Sequence, residues 1–191
     1  SLSGEPLDTV IFDNTNVYLD VIDVAHSQYD DETMELGALA RATMISGAME
    51  RILDLSIQYT SEREQFGRPL NRLQAIQQHV SILAGETAAT LAVTNKAIDA
   101  YQNGVQKEYI AYAKVQANDA TTKFVGIAHQ IHGAIGATYE HILHHLTRRL
   151  WAWREQNGTE QYWTKVLAEQ ALQSNDTLWT EVTKQPLLET I

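Results

Sequence analysis

Residues 61–80 read SEREQFGRPLNRLQAIQQHV, and their reading decides how the rest of the chain folds. Helix-like segments stand on both sides of a Phe66-Gly67-Arg68-Pro69 break, so one long helix ends here and another begins. Gly67 suits a left-handed stop and Pro69 blocks continuation. The first helix is therefore expected from about Asp31 to about Phe66, roughly 50 Å at the usual rise per residue. The same stretch carries Arg63, Arg68 and Arg72 in a chain whose formal net charge is -10. Cations suit the negative pole at a helix C-terminus, and they equally suit a local anion site. This stretch by itself leaves both readings open.

Working outward, the acidic run Asp30, Asp31, Glu32 suits a helix N-terminus. The segment LGALARATMISGAM is apolar or small on nearly all sides, which implies burial on more than one face and neighbours beyond a single hairpin partner. On the other side of the break, Leu73, Ile76, Val80, Leu83, Thr87, Thr94 and Tyr101 define the seam of a second helix, about Leu70 to Tyr101, ended by Gln-Asn-Gly at 102–104. A third, about Glu108 to Ile131, places Ile110, Ala113, Ala117, Ala120, Phe124, Ile127 and Ile131 on one stripe whose small members allow close helix approach. The glycine-punctuated HGAIGATYE at 132–140 leads to a fourth helix ending near Arg154, with Ile142, Leu146, Leu150 and Trp153 inward. A fifth runs from Glu160 to about Leu172 after the turn EQNGT. Short connections between long helices specify an all-α antiparallel bundle of four to five helices.

The beginning of the chain differs. DTVIFDNTNVYLDVIDVA at 8–25 is rich in Val, Ile and Asp and partly alternates, which suggests one or two strands. Two strands are not a stable sheet in water. Residues 1–28 are thus expected to be a short β-like arm packed on the helices or the remnant of a larger β domain, and residues 29–191 the helical domain.

Composition excludes several functions. With 24 acidic against 14 basic residues, a general nucleic-acid or anionic-membrane surface is not expected. The absence of cysteine excludes disulfides, thiolate catalysis and Cys-based zinc sites. No apolar run reaches the roughly 20 residues of a membrane helix, and SLSGEPLDTV lacks the features of a secretion signal. The chain reads as a soluble cytoplasmic protein. His141 and His145 lie one helical turn apart with His144 between them, and His129 and His132 precede them. The carboxylate-bridged metal pattern of bundles needs Glu-x-x-His, whereas Leu143 stands three residues after Glu140, so no metal is expected and the histidines read as polar-face or hydrogen-bonded groups. Trp151, Trp153 and Trp163 read as core or interface aromatics.

Taken in order, LARATMISGAMERILDLSIQYTSEREQFGRPLNRLQAIQQHV, QIHGAIGAT and NGTEQY resemble the C-terminal helical domain of the acyl-CoA dehydrogenase family, over about Leu36 to Leu172. The resemblance implies FAD as cofactor and an acyl-CoA thioester as substrate. It implies that Arg63, Gln65 and Phe66 meet a flavin bound by a neighbouring subunit, a guanidinium being able to grip a pyrophosphate through two hydrogen bonds. Gln130, Gly133 and Ala134 match positions that approach the adenosine end of the same cofactor. Thr159 and Gln161 match positions that hold a flavin within the same subunit, and Arg41 matches an arginine near the active site. A homo-oligomer, a dimer of dimers, is what the family implies, formed through the first helices.

The family reaction is α,β-dehydrogenation of the thioester and needs a carboxylate to take the α proton. Most members carry that glutamate directly before the Gly-Thr of the EQNGT turn, where this chain has Asn157; a minority carry it on the first helix, at the position of Ala40. Both are empty of a carboxylate, and Glu155, two residues before Asn157, reaches the site only if the loop changes register. Two expectations follow: the chain is the non-basic subunit, or a fragment, of an acyl-CoA dehydrogenase completed by a base-carrying partner, or it is a noncatalytic binding or structural module of the same fold.

Overall fold

The computed structural model describes residues 1–6, 13, 26–104 and 107–173. The β-like arm expected over residues 8–25 and the tail from residue 174 lie outside the described residues. Five helices follow one another: α1 (His26–Glu62), α2 (Gln74–Gln102), α3 (Lys107–His132), α4 (Leu143–Glu155) and α5 (Glu160–Gln173). The first three pack on each other, α5 packs on α3, and α4 lies against both α1 and α3. This is the bundle that short connections between amphipathic helices demand.

The core follows from helical spacing. Ala38, Ala42, Ile45, Met49 and Ile52 line the inner face of α1, and Ile110, Ala113, Ala117, Ala120, Phe124, Ala128 and Ile131 line that of α3; all are buried. On α2, Leu83 and Ala97 are buried beside the hydroxyls of Thr87, Thr90 and Thr94. Thr87 donates to the Leu83 carbonyl at 2.8 Å, so a hydroxyl sits in the core with its bond made inside its own helix. The opposite face of the first half of α1 is open: Leu36 is 50% exposed and Met44 38%. Burial on a second face is thus not supplied by the described residues.

Three boundaries and two inward positions differ from the sequence reading. Helix α1 begins at His26, ahead of the acidic run, and ends at Glu62 rather than near Phe66. It stops early because residues 64–69 form a small hairpin, strands β1 (Glu64–Gln65) and β2 (Arg68–Pro69), in which Gln65 faces Arg68 and the Arg63 carbonyl accepts from the Leu70 N–H at 2.9 Å. A short 3-10 turn, Leu70–Arg72, then delays the start of α2 to Gln74. In α4, Leu143 is buried where Ile142 was expected, and Ile142 is 47% exposed. Ile142 precedes the first turn of the helix, so its side chain follows the loop rather than the helical period. Tyr101, the last expected seam residue of α2, lies at the fraying end and is also exposed.

The first six residues lie along α4. The Leu2 carbonyl accepts from Arg148 Nε at 2.7 Å, and the Glu5 carboxylate accepts from Trp153 Nε1 at 3.0 Å with Arg149 nearby at 3.4 Å. Among the described residues no helix is long and apolar enough to cross a membrane.

Candidate functional site

The expected contact residues fall into two groups at opposite ends of the bundle. The first is built on the hairpin after α1. Its two loop residues, Phe66 and Gly67, both have positive φ, 55° and 73°, the pattern of a type I′ turn. Glycine adopts that conformation without strain; phenylalanine does so at a cost of roughly 1–2 kcal/mol. The result is an aromatic ring 88% exposed at the hairpin tip, flanked by the exposed Arg63, Gln65 and Arg68. The ring thus faces solvent on a strained backbone.

Gln130, Gly133 and Ala134 share this end. His132, at the last position of α3, is buried and stacks on Tyr59 of α1 with ring centroids 4.8 Å apart, and the Tyr59 carbonyl accepts from the Arg63 N–H. That stack holds the end of α3 beside the last turns of α1. Gln130 and Ala134 are exposed, and Gly133 has φ 61° with nothing within 4 Å of where a Cβ would stand. Its backbone is open to an approaching anion.

The second group surrounds the turn between α4 and α5. Asn157 has φ 54° and Gly158 φ 95°. Asparagine is among the few side chains that tolerate this left-handed region. The turn is pinned from two sides: the Asn157 carbonyl accepts from Trp163 Nε1 at 2.9 Å, and the Asn157 amide occupies the place where a Cβ on Gly37 of α1 would stand. Thr159 caps α5, its Oγ1 accepting from the Tyr162 N–H at 3.3 Å. An open depression of about 700 Å³ lies beside it, lined by Arg154, Glu155, Thr159, Glu160, Gln161 and Lys165.

Arg41 is one turn along α1 from Gly37 and is half-buried, with Nη1 donating to the Met44 sulfur at 3.3 Å. Ala40 is exposed. Glu155 is exposed and paired with Arg154 at 3.6 Å; Arg154 also reaches Glu160 at 3.6 Å, donates to Thr122 Oγ1 at 2.8 Å and lies over the Trp151 ring. Trp153 and Trp163 are buried and Trp151 half-buried, as core aromatics.

One residue escaped the sequence reading. Lys114 is 0% exposed in the middle of α3, and its ammonium donates to Asn118 Oδ1 at 3.0 Å and to the Trp153 and Arg154 carbonyls at 2.8 and 3.1 Å. Burial lowers its pKa to about 7; Glu155 opposes that shift, and Arg41 and Arg154 add to it. The signal was present in the spacing, since Lys114 stands four residues after Ile110 and three before Ala117, on the inward stripe.

The histidines are occupied by helix ends and neighbours. His129 Nε2 and Thr147 Oγ1 share a hydrogen bond of 3.0 Å, His132 Nδ1 donates to the Ala128 carbonyl and His144 Nδ1 to the His141 carbonyl, both at 2.8 Å. Burial lowers the pKa of His129 and of His132. Among the described residues no group of three His, Asp or Glu side chains is placed to hold a metal ion.

Gly37 and Tyr59 belong to the same continuous helix and are 22 residues apart, about 33 Å along its axis. The hairpin group and the turn group are therefore separated by most of the length of α1.

The family model described as acyl-CoA dehydrogenase, C-terminal domain, matches residues 28–172. A probable acyl-CoA dehydrogenase of Bacillus subtilis is 31% identical over 142 residues, covering 73% of this chain and 37% of the relative. Butyryl-CoA dehydrogenase from Megasphaera elsdenii superposes with a TM-score of 0.70 at 25% identity, over 74% of this chain and 37% of that one. The ChsE4–ChsE5 complex from Mycobacterium tuberculosis superposes with a TM-score of 0.75 at 19% identity, over 78% of this chain and 41% of that one, which speaks for the fold. The chain thus spans about two fifths of the length of the proteins it matches.

Proposed function

The chain belongs to the acyl-CoA dehydrogenase family, and from that premise we propose that it is a flavin-contacting component of an FAD-dependent acyl-CoA dehydrogenase that relies on another polypeptide for its base. The observation that carries this reading is the exposed hairpin tip, Phe66 at 88% exposure in a strained conformation beside Arg63, some 33 Å along α1 from the Asn157 turn. One dinucleotide does not bridge that distance. Each end therefore serves a different flavin, and each flavin site is completed by a second subunit.

The residues present fit the group. Arg63 offers an unobstructed guanidinium for a pyrophosphate, Phe66 a free ring face, Gln65 and Gln130 exposed amides, and Gly133 and Ala134 an open backbone. Thr159 and Gln161 line the depression at the other end, where a second flavin would be held. When bound, the flavin supplies the hydride acceptor for dehydrogenation at the β carbon of an acyl-CoA. At the proton-accepting position this chain offers Asn157, whose amide hydrogen-bonds a substrate oxygen or a neighbouring side chain but takes no α proton. A base-carrying subunit in a heteromer would provide the carboxylate.

The noncatalytic alternative draws on the same absence of a carboxylate at positions 157 and 40. A visible absorption spectrum and a native mass of one purified sample separate the two. Bound FAD in an oligomer, bleached by an acyl-CoA thioester once the partner is added, supports the dehydrogenase component. A stable oligomer that takes up no FAD with or without co-purifying partners supports the noncatalytic module.

A further inference from the structure

The Lys114 ammonium carries three donors and meets three acceptors, two of them carbonyls in the last turn of α4. Both carbonyls lie at the negative pole of the helix, where the usual donor four residues on is missing; the Trp153 carbonyl also accepts from the Gln156 N–H at 3.3 Å. The turn Gln156–Thr159 starts at the next residues, and its own contacts, Asn157 with Gly37 and Trp163 with Asn157, depend on where α4 stops.

We propose that Lys114 is the positioning residue of the catalytic-side turn: it caps α4 from inside the bundle and so fixes where Asn157, Thr159 and Gln161 stand. The part concerning flavin rests on the function proposed above; the anchoring of the turn does not. A buried lysine is costly, and an apolar residue of the same length would fill the α3 stripe without that cost. A lysine here with every donor satisfied fits a role that packing cannot fill. The charged groups acting on it are Glu155 and Arg154 from α4 and Arg41 from α1, and all three border the same turn.

Lys114→Met keeps the length of the side chain and removes the amine. In the full chain, amide hydrogen exchange of residues 156–163 is expected to be about tenfold faster or more in the variant, with α2 amides in the first half of the helix unchanged. Equal exchange in variant and wild type would mean that only the methylene stem matters and would overturn the proposal. Wild type by itself gives a second arm. Below about pH 6.5 the Lys114 Nζ protons, all three bonded inside the bundle, are expected to exchange with water at least tenfold more slowly than those of surface lysines, read by nitrogen-detected NMR. An Nζ that exchanges as fast as a surface lysine overturns the proposal even if the variant fails to fold. Should the turn loosen as expected in a chain that never binds FAD, the anchoring stands and the flavin reading falls.

Discussion

The side chain of Asn157 occupies the space that a Cβ on Gly37 would need. A glycine in the interior of α1 is thus required by a residue 120 positions later, and the turn between α4 and α5 is seated on the first helix. Gly37→Ala normally gains about 1 kcal/mol in a helix interior. Here it is expected to destabilise by about 1–3 kcal/mol, because the turn must shift. Urea unfolding of Gly37→Ala alone and combined with Asn157→Gly checks it: the second substitution should restore the lost stability, and a stabilised single variant would show that the contact is absent.

Asn157→Glu places a carboxylate at the base position. In the complete assembly it should raise or create acyl-CoA dehydrogenation, measured by flavin bleaching under thioester. The substitution carries a cost of roughly 1 kcal/mol for glutamate at φ 54°. No gain from a folded variant would mean that the turn is not the base site.

Arg63 is exposed, and among the described residues its side chain makes no hydrogen bond or ion pair. Arg63→Ala should leave helix content and melting unchanged while weakening FAD retention by about 10- to 100-fold, the range of one or two charge-assisted hydrogen bonds. Flavin content after gel filtration, set beside far-UV circular dichroism, tests this; unchanged retention removes Arg63 from the site.

Phe66→Gly separates strain from function. Glycine relieves the left-handed conformation, so the isolated chain should become more stable by up to about 1 kcal/mol. Flavin retention should fall, because the exposed ring is lost. A variant that is both more stable and equally loaded with flavin would assign the ring no role there.

Stability should rise with pH across two windows. Lys114 has its folded pKa lowered to about 7 from an ordinary 10.5, so between those values the unfolded chain binds the extra proton and folding is favoured as pH increases, by up to about 1.4 kcal/mol per pH unit. His129 and His132 are also lowered from 6.5, so their contribution is present above that value and is lost as pH falls through the folded pKa. Denaturant midpoints against pH, in wild type and in Lys114→Met, should show the upper window vanish in the variant while the acid limb remains.

Much of the architecture was legible along the chain. The stripe from Ile110 to Ile131 announced α3 because a 3.6-residue period repeated over six turns is hard to produce otherwise, and only Ile127 of it is less than fully buried. The hairpin was not legible. Gly67 and Pro69 satisfy a helix stop as well as a hairpin turn, and Phe-Gly lacks the Asn-Gly signature of a type I′ loop. Ile142 was expected inward and Leu143 is the buried residue instead, because the helix begins only at Leu143 and neighbouring helical positions differ by about 100° of rotation.

By itself the sequence determined the number and order of the helices and the family they belong to, because periodicity, breakers and motif order are properties of neighbouring residues. The residues proposed to contact flavin could be named from the same motifs, and positions 157 and 40 carry no carboxylate. Only the tertiary structure decided that the proposed contact residues stand at opposite ends of α1, that Asn157 rests on Gly37, and that Lys114 meets carbonyls some 40 residues away. Such relationships depend on which helix faces which, and packing settles that through contacts between residues far apart in the chain.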